Sequence, residues 1–428
     1  MKNGIFTDRN GRNYLVPFIL IASLFFLWGF AHSILDVLNK HFQDVLVISK
    51  ARSGLVQATV YGGYFLMALP AGRIIRRWGY RTGIVLGLLL YGIGALMFIP
   101  GGKLMSFPFF LLSLFVIGCG LTCLETSANP YVTVLGEKRA AARRLNLAQS
   151  LNGLGWIAGP FIGGLLILGD DSNIALPYAV IGVIVLALGA VFSRLNLPSV
   201  GEDTTEEAAA GAPVAAGKDT DGNALTGGPG TSEDASADGS IWTVRSFRYG
   251  VIALFFYVAA QTGINSFFIN YVTEHDAAIS AQTAALMLSF GGMGLFMAGR
   301  LAGTAVMGRI SPRATMLFCS AGALLCMMAS ILFPGIPGIV ALCLTYLFES
   351  IMFPTIFSMA LVDIRGEATK TASSFLIMSI VGGAIAPVVM GLIGEQHMAT
   401  GFLIPLVCFA VILAYAALYR RMRGRYRV

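Results

Sequence analysis

Apolar residues run along this chain in long stretches, each close to the roughly 20 residues a helix needs to cross a bilayer. They fall near 14–38, 53–75, 82–100, 107–135, 145–168 and 176–196. After a polar interruption they resume near 248–272, 282–306, 314–333, 337–361, 371–393 and 401–419. Backbone polar groups have no water to bond in lipid, so each run is read as a helix. The pattern predicts an all-α membrane protein of twelve transmembrane helices in two bundles of six, residues 1–197 and 247–428. Residues 199–240 between them are rich in Gly, Ala and acids and lack apolar periodicity. The segment 198–246 therefore reads as a disordered cytoplasmic linker.

Composition supports that class and charge orients it. The chain is 56% hydrophobic and 12% charged, against about 25% charged in soluble domains. With the N-terminus placed inside, the 29 Lys and Arg residues fall on the cytoplasmic side except Lys40, Lys50, Arg52 and Lys103. Positive charge concentrates inside in membrane proteins, so the chain is expected to be a multi-pass inner-membrane protein with both termini cytoplasmic. The net charge of +7 then reflects orientation and does not imply a nucleic-acid partner. No small-residue cleavage site follows the first run, which is expected to be retained. The six cysteines lie within spans and, like the four histidines, show no metal spacing. With no nucleophile elbow or phosphate-binding glycine loop either, neither an enzyme nor a cofactor is expected, and no catalytic or metal residue is assigned.

The halves resemble each other where polar residues enter the spans. "CLETSANPYVTVLG" in the fourth span and "LFESIMFPTIFSMA" in the tenth align on Pro130 and Pro354, each with a Glu five residues earlier, Glu125 and Glu349. "WGFAHSILD" in the first pairs with "YVAAQTGIN" in the seventh, matching His32 with Gln261 and Asp36 with Asn265. "NGLGWIAGP" in the fifth pairs with "SIVGGAIAP" in the eleventh, matching Asn152 with Ser379. Repeats of equal orientation are related by an axis along the membrane normal, which places a site between them near the midplane.

"CLETSANPYVTVLG", "RLNLAQSLNGLG", "YVAAQTG", "FPTIFSMA" and "SSFLIMSIVGGAIAPVVMG", with Asp36 in the first span, resemble the L-fucose–proton symporter family, a sugar-transporting branch of the major facilitator superfamily. The similarity runs from about residue 14 to 419 outside the linker. It implies two pseudo-symmetric six-helix bundles in the major facilitator fold, alternating access, and monosaccharide uptake coupled to a cation. It further implies that Asp36 and Glu125 are the protonation and coupling residues, and that Gln149 and Asn152 contact sugar. Three positions depart from the family pattern. Ser33 replaces an Asn, Glu349 stands where a neutral residue is expected, and Arg76 sits where an Asp is usual.

A carboxylate at the depth of Asp36 costs roughly 2.5–3.5 kcal/mol on insertion scales, so it needs a partner or a task. His32, one turn away, is the structural partner the spacing offers; proton coupling is the functional reading. The amides of Gln149, Asn152, Gln261 and Asn265 suit sugar hydroxyls by donating and accepting, with interhelical packing as the alternative. Glu349 is read as a substrate contact, His32 as support or relay, and Trp28 or Tyr257 as a ring to stack on a pyranose. Arg300 is expected near the cytoplasmic end of its helix, as a gate or a snorkelling charge. The reading is a monomeric symporter importing a fucose-, galactose- or glucose-type monosaccharide with a proton, sodium remaining open. The alternative is a proton-coupled exporter of drugs or other small solutes.

Overall fold

The computed structural model describes residues 14–134, 141–169, 174–195, 241–307, 310–333, 335–364 and 367–423. Most of the expected linker lies outside them. Among the described residues no strand occurs, and eleven helices are long and apolar enough to cross a membrane.

The first half comprises α1 (Leu15–Leu46), α2 (55–78), α3 (80–96), α4 (Phe107–Val134), α5 (Ala141–Ile167) and α6 (Ala175–Arg194). A continuous run, Leu55–Leu96, contains both α2 and α3; Gly79 breaks it at φ 80°, a backbone region that glycine enters without steric cost. α2 is the expected span that is not among the eleven. Gln57, Tyr61 and Tyr64 give it a polar face and lower its apolarity.

The second half comprises α7 (Arg245–His275), α8, α9 (Pro312–Leu332), α10, α11 and α12 (Leu403–Arg423). Three of these helices are interrupted. α8 runs from Ala281 to Met307 with a π-helical stretch at Met287–Met293. α10 has two arms, Ile336–Glu349 and Met352–Leu361. α11 joins Glu367–Met378 to Gly382–Ile393 through a 3-10 turn at Ser379–Val381.

Within the first half α1 packs on α5, and α4 packs on α2 and α3. In the second half α7 is central, touching α10, α11 and α12. Among the described residues the halves meet through α1 with α7, α2 with α11, α5 with α8, and a short helix after α1, Lys50–Ser53, with α11. The sequence predicts an end to the first helix near residue 38, but α1 continues to Leu46 because its polar end is covered by the other half. Asn39 Nδ2 donates to the Ser266 carbonyl at 2.5 Å, and Asn270 Nδ2 donates to Gln43 Oε1 at 2.5 Å.

Beyond α1 the seam becomes ionic. Lys50 Nζ meets Glu274 Oε1 at 2.5 Å and donates to the carbonyls of Gly394 and Glu395 at 2.8 and 3.0 Å. The Glu395 carboxylate accepts from the backbone N–H groups of Lys50 and Ala51 at 3.2 and 3.4 Å. A side chain on Gly391 would sit 2.5 Å from the Lys50 carbonyl carbon, and one on Gly54 would sit 2.8 Å from that of Pro387. The backbones therefore close to a distance that only glycine allows. The opposite end of the bundle carries Arg73, Arg77, Arg81, Arg194, Arg245, Arg248 and Arg313.

Candidate functional site

α1 and α2 supply the centre of the site. Trp28, His32 and Asp36 are each one turn apart on α1, and Gln57, Tyr61 and Tyr64 line one face of α2 at i, i+4 and i+7. α4 lies tight against α2 because Gly118 has no side chain: a Cβ there would sit 2.6 Å from the Val60 carbonyl oxygen. That approach brings Glu125, two turns further on, within reach of α2.

The Tyr64 hydroxyl gathers two predicted residues. Trp28 Nε1 donates to it at 2.6 Å and His32 Nε2 lies 3.0 Å away, with Glu125 within electrostatic reach. A phenol has one proton and two lone pairs. Having accepted from Trp28, Tyr64 either accepts a second proton from His32 Nε2 or donates its own to it, according to the histidine tautomer.

Asp36 is 1% exposed and does not bond His32. Gln57 Nε2 donates to its Oδ1 at 3.0 Å, and its Oδ2 has no hydrogen-bond partner. The i, i+4 pairing of His32 with Asp36 offered by the sequence is thus replaced by two bonds to α2. Tyr61 crosses to the other half, its hydroxyl 3.2 Å from Thr262 Oγ1 on α7.

α5 lines the opposite wall. Trp156 stacks on His32 with centroids 5.9 Å apart and planes at 16°. Asn152 is buried and its Nδ2 donates to the Phe25 carbonyl at 3.1 Å, so part of its amide ties α5 to α1. Gln149, three residues earlier on that face, is half-buried. On α7, Gln261 is half-buried, while Asn265 is buried with its Oδ1 unpartnered.

Glu349 closes the first arm of α10, fully buried, with neither carboxyl oxygen hydrogen-bonded. The break beyond it has a covalent cause. Pro354 lacks an N–H, so the Ser350 carbonyl loses its helical donor. Arg300 Nε on α8 donates to that carbonyl at 3.4 Å, and the Tyr257 hydroxyl on α7 donates to the Glu349 carbonyl at 3.1 Å. Tyr257, read from sequence as a ring for sugar stacking, here caps a broken helix. Arg300 turns into the bundle, its guanidinium 4.7 Å over the Phe296 ring.

Tyr64, Gln57, Tyr61 and Trp156 were not singled out from sequence. The 57/61/64 spacing on an otherwise apolar helix was the available signal, masked because hydropathy averages over all faces of a helix.

An all-helical chain of paired six-helix halves with buried acids between them defines a membrane transporter. Residues 14–387 match the Major Facilitator Superfamily, and the chain belongs to that superfamily and, within it, to the L-fucose–proton symporter family. An L-fucose-proton symporter of Escherichia coli (strain K12) is 35% identical over 431 residues, spanning 95% of this chain and 93% of its own. A glucose/galactose transporter of Brucella abortus biovar 1 (strain 9-941) is 32% identical over 97% of both chains. The crystal structure of the transporter FucP in the outward conformation superposes with a TM-score of 0.65 at 34% identity, over 95% of this chain and 99% of that one.

Proposed function

We propose that this protein imports a monosaccharide together with a proton across the inner membrane by alternating access. The observation that carries the reading is the hydroxyl of Tyr64, shared by Trp28 and His32, with His32 one helical turn from the half-satisfied Asp36. Asp36 takes and releases the proton. A carboxyl loses its charge as it loses water, and alternating access changes the hydration of a central site. Glu125 links that charge to sugar through Tyr64, while Gln149, Asn152, Gln261 and Asn265 offer amides to hydroxyl groups. Trp28 and Trp156 offer rings to the sugar's apolar face. Each half supplies part of the site, so a single chain suffices.

With both termini cytoplasmic, the Lys50–Glu274 end faces outward and is shut, and the arginine-rich end faces the cytoplasm. One proton moving down 100 mV and one pH unit supplies about 3.7 kcal/mol, enough for roughly 500-fold accumulation of a neutral sugar. No cofactor enters this cycle.

The test is uptake of labelled L-fucose, D-galactose and D-glucose into proteoliposomes, with proton and sodium gradients imposed separately. The expected result is concentrative uptake of at least one sugar under a proton gradient alone. Uptake that follows only sodium would replace the coupling ion. Proton-driven extrusion of drug-like cations, with no sugar movement in either direction, would overturn the assignment in favour of an exporter.

A further inference from the structure

Glu349 lies deep in the second half, and the cycle just described gives it no task. Its side chain is fully buried and neither carboxyl oxygen has a hydrogen-bond partner. An isolated ionised carboxylate in such a place would be very costly, and the group neutralises instead. A protonated carboxyl is the form that such a place accepts at lower cost.

The surroundings supply a route to losing the proton. Glu349 is the last residue of a helical arm, and the carbonyls of the broken turn are held by side chains of two other helices, Tyr257 from α7 and Arg300 from α8. The Arg300 guanidinium already bonds the next residue's carbonyl, at the long distance of 3.4 Å. A shift of α8 relative to α10 would bring that cation onto the carboxyl, where an opposite charge at contact distance favours the ionised form.

Among the described residues the other ionisable groups around Glu349 are few. Tyr346, one turn earlier on α10, has an unpartnered hydroxyl and lies within electrostatic reach of both Glu349 and Asp36 of α1. Tyr257 faces it from α7. α9 brings only the thiols of Cys319 and Cys326 besides Arg313, which is bonded to the Ala416 and Ala417 carbonyls.

We propose that Glu349 carries a second proton through each cycle, one more than Asp36 alone would move, so that two protons accompany each sugar. The proposal rests on the proton-coupled reading above. The proton binds from water while the site opens outward and leaves to water on the cytoplasmic side as Arg300 pairs with the carboxylate; no other bond changes.

Stoichiometry decides the matter. In proteoliposomes with the membrane potential clamped to zero, one pH unit sustains about tenfold sugar accumulation for one proton and about hundredfold for two. The wild-type chain is expected to reach about hundredfold. Glu349→Gln should fall to about tenfold while still exchanging sugar at equilibrium, and Glu349→Asp should keep the steeper ratio. A wild-type ratio near tenfold overturns the proposal, and this arm needs no variant to fold. So does a Glu349→Gln protein that stays near hundredfold, or one that folds yet no longer exchanges sugar, which would make Glu349 a sugar ligand. Wild-type sugar exchange with no accumulation under any pH gradient would instead be the failure of the coupling reading itself.

Discussion

Lys50 and Glu274, on opposite halves of the molecule, meet at 2.5 Å, and the same ammonium donates to the carbonyls of Gly394 and Glu395. The contact fastens one end of the bundle through an ion pair, carbonyl bonds and a carboxylate that accepts two backbone N–H groups. An exposed pair alone contributes about 0–1 kcal/mol, and these side chains are 12% and 28% exposed. The cluster is therefore strong enough to bias the closed state and weak enough to open in every cycle.

Lys50→Ala should shift the population toward the state open at this end by about fivefold, for a loss on the order of 1 kcal/mol. Distance distributions between spin labels placed on the two halves at this end would record it as growth of the longer component. Raising ionic strength should move the wild-type protein the same way, because screening weakens partly exposed pairs. An unchanged distribution in Lys50→Ala would mean that the apolar and amide contacts alone hold the seam.

Asp36→Asn should lower accumulation driven by a pH gradient to what the Glu349 proton alone sustains, about tenfold per pH unit, while preserving exchange of labelled for unlabelled sugar. An amide cannot carry the proton, but it keeps the bulk of the side chain. The dependence of uptake on external pH should flatten accordingly. Normal concentrative uptake by the purified variant would remove Asp36 from the coupling role.

Tyr64→Phe removes the one hydroxyl that Trp28 and His32 share. The partners left unpaired should cost about 1–3 kcal/mol, read as a rise of roughly 5- to 150-fold in the sugar concentration for half-maximal binding. Glu125→Gln should produce a comparable loss together with uncoupling. If Tyr64→Phe binds sugar as the wild type does, the hydroxyl is a packing contact only.

Gln149→Ala and Asn152→Ala should separate. Asn152 spends one of its two N–H donors on the Phe25 carbonyl, so its loss should lower stability by about 0.6 kcal/mol and weaken sugar binding. Gln149 is half-buried, and its loss should weaken binding with the unfolding temperature unchanged. Thermal unfolding in detergent and isothermal titration of the sugar, run on both variants, check the contrast.

The two-bundle plan was legible because the bilayer reduces folding to run length and hydropathy. The acids were legible because a buried carboxylate is expensive enough to stand out. What lay hidden depends on faces and interfaces. α2 offers its polar side to α1 and α4, so Tyr64 became visible only once Gly118 had brought α2 and α4 together. The reach of α1 to Leu46 depends on Ser266 and Asn270, more than two hundred residues away along the chain. Pro354 was readable as a repeat marker, whereas the arms of α10 on either side of it are set by Tyr257 and Arg300 on other helices.

The short helix that follows α1 and the loop after α11 come from distant parts of the chain, yet Glu395 binds the backbone of Lys50 and Ala51 directly. Together they form a composite epitope that exists only while the two halves are joined there. A nanobody raised against that tip would recognise one conformer, arrest the cycle and report how often the tip assembles.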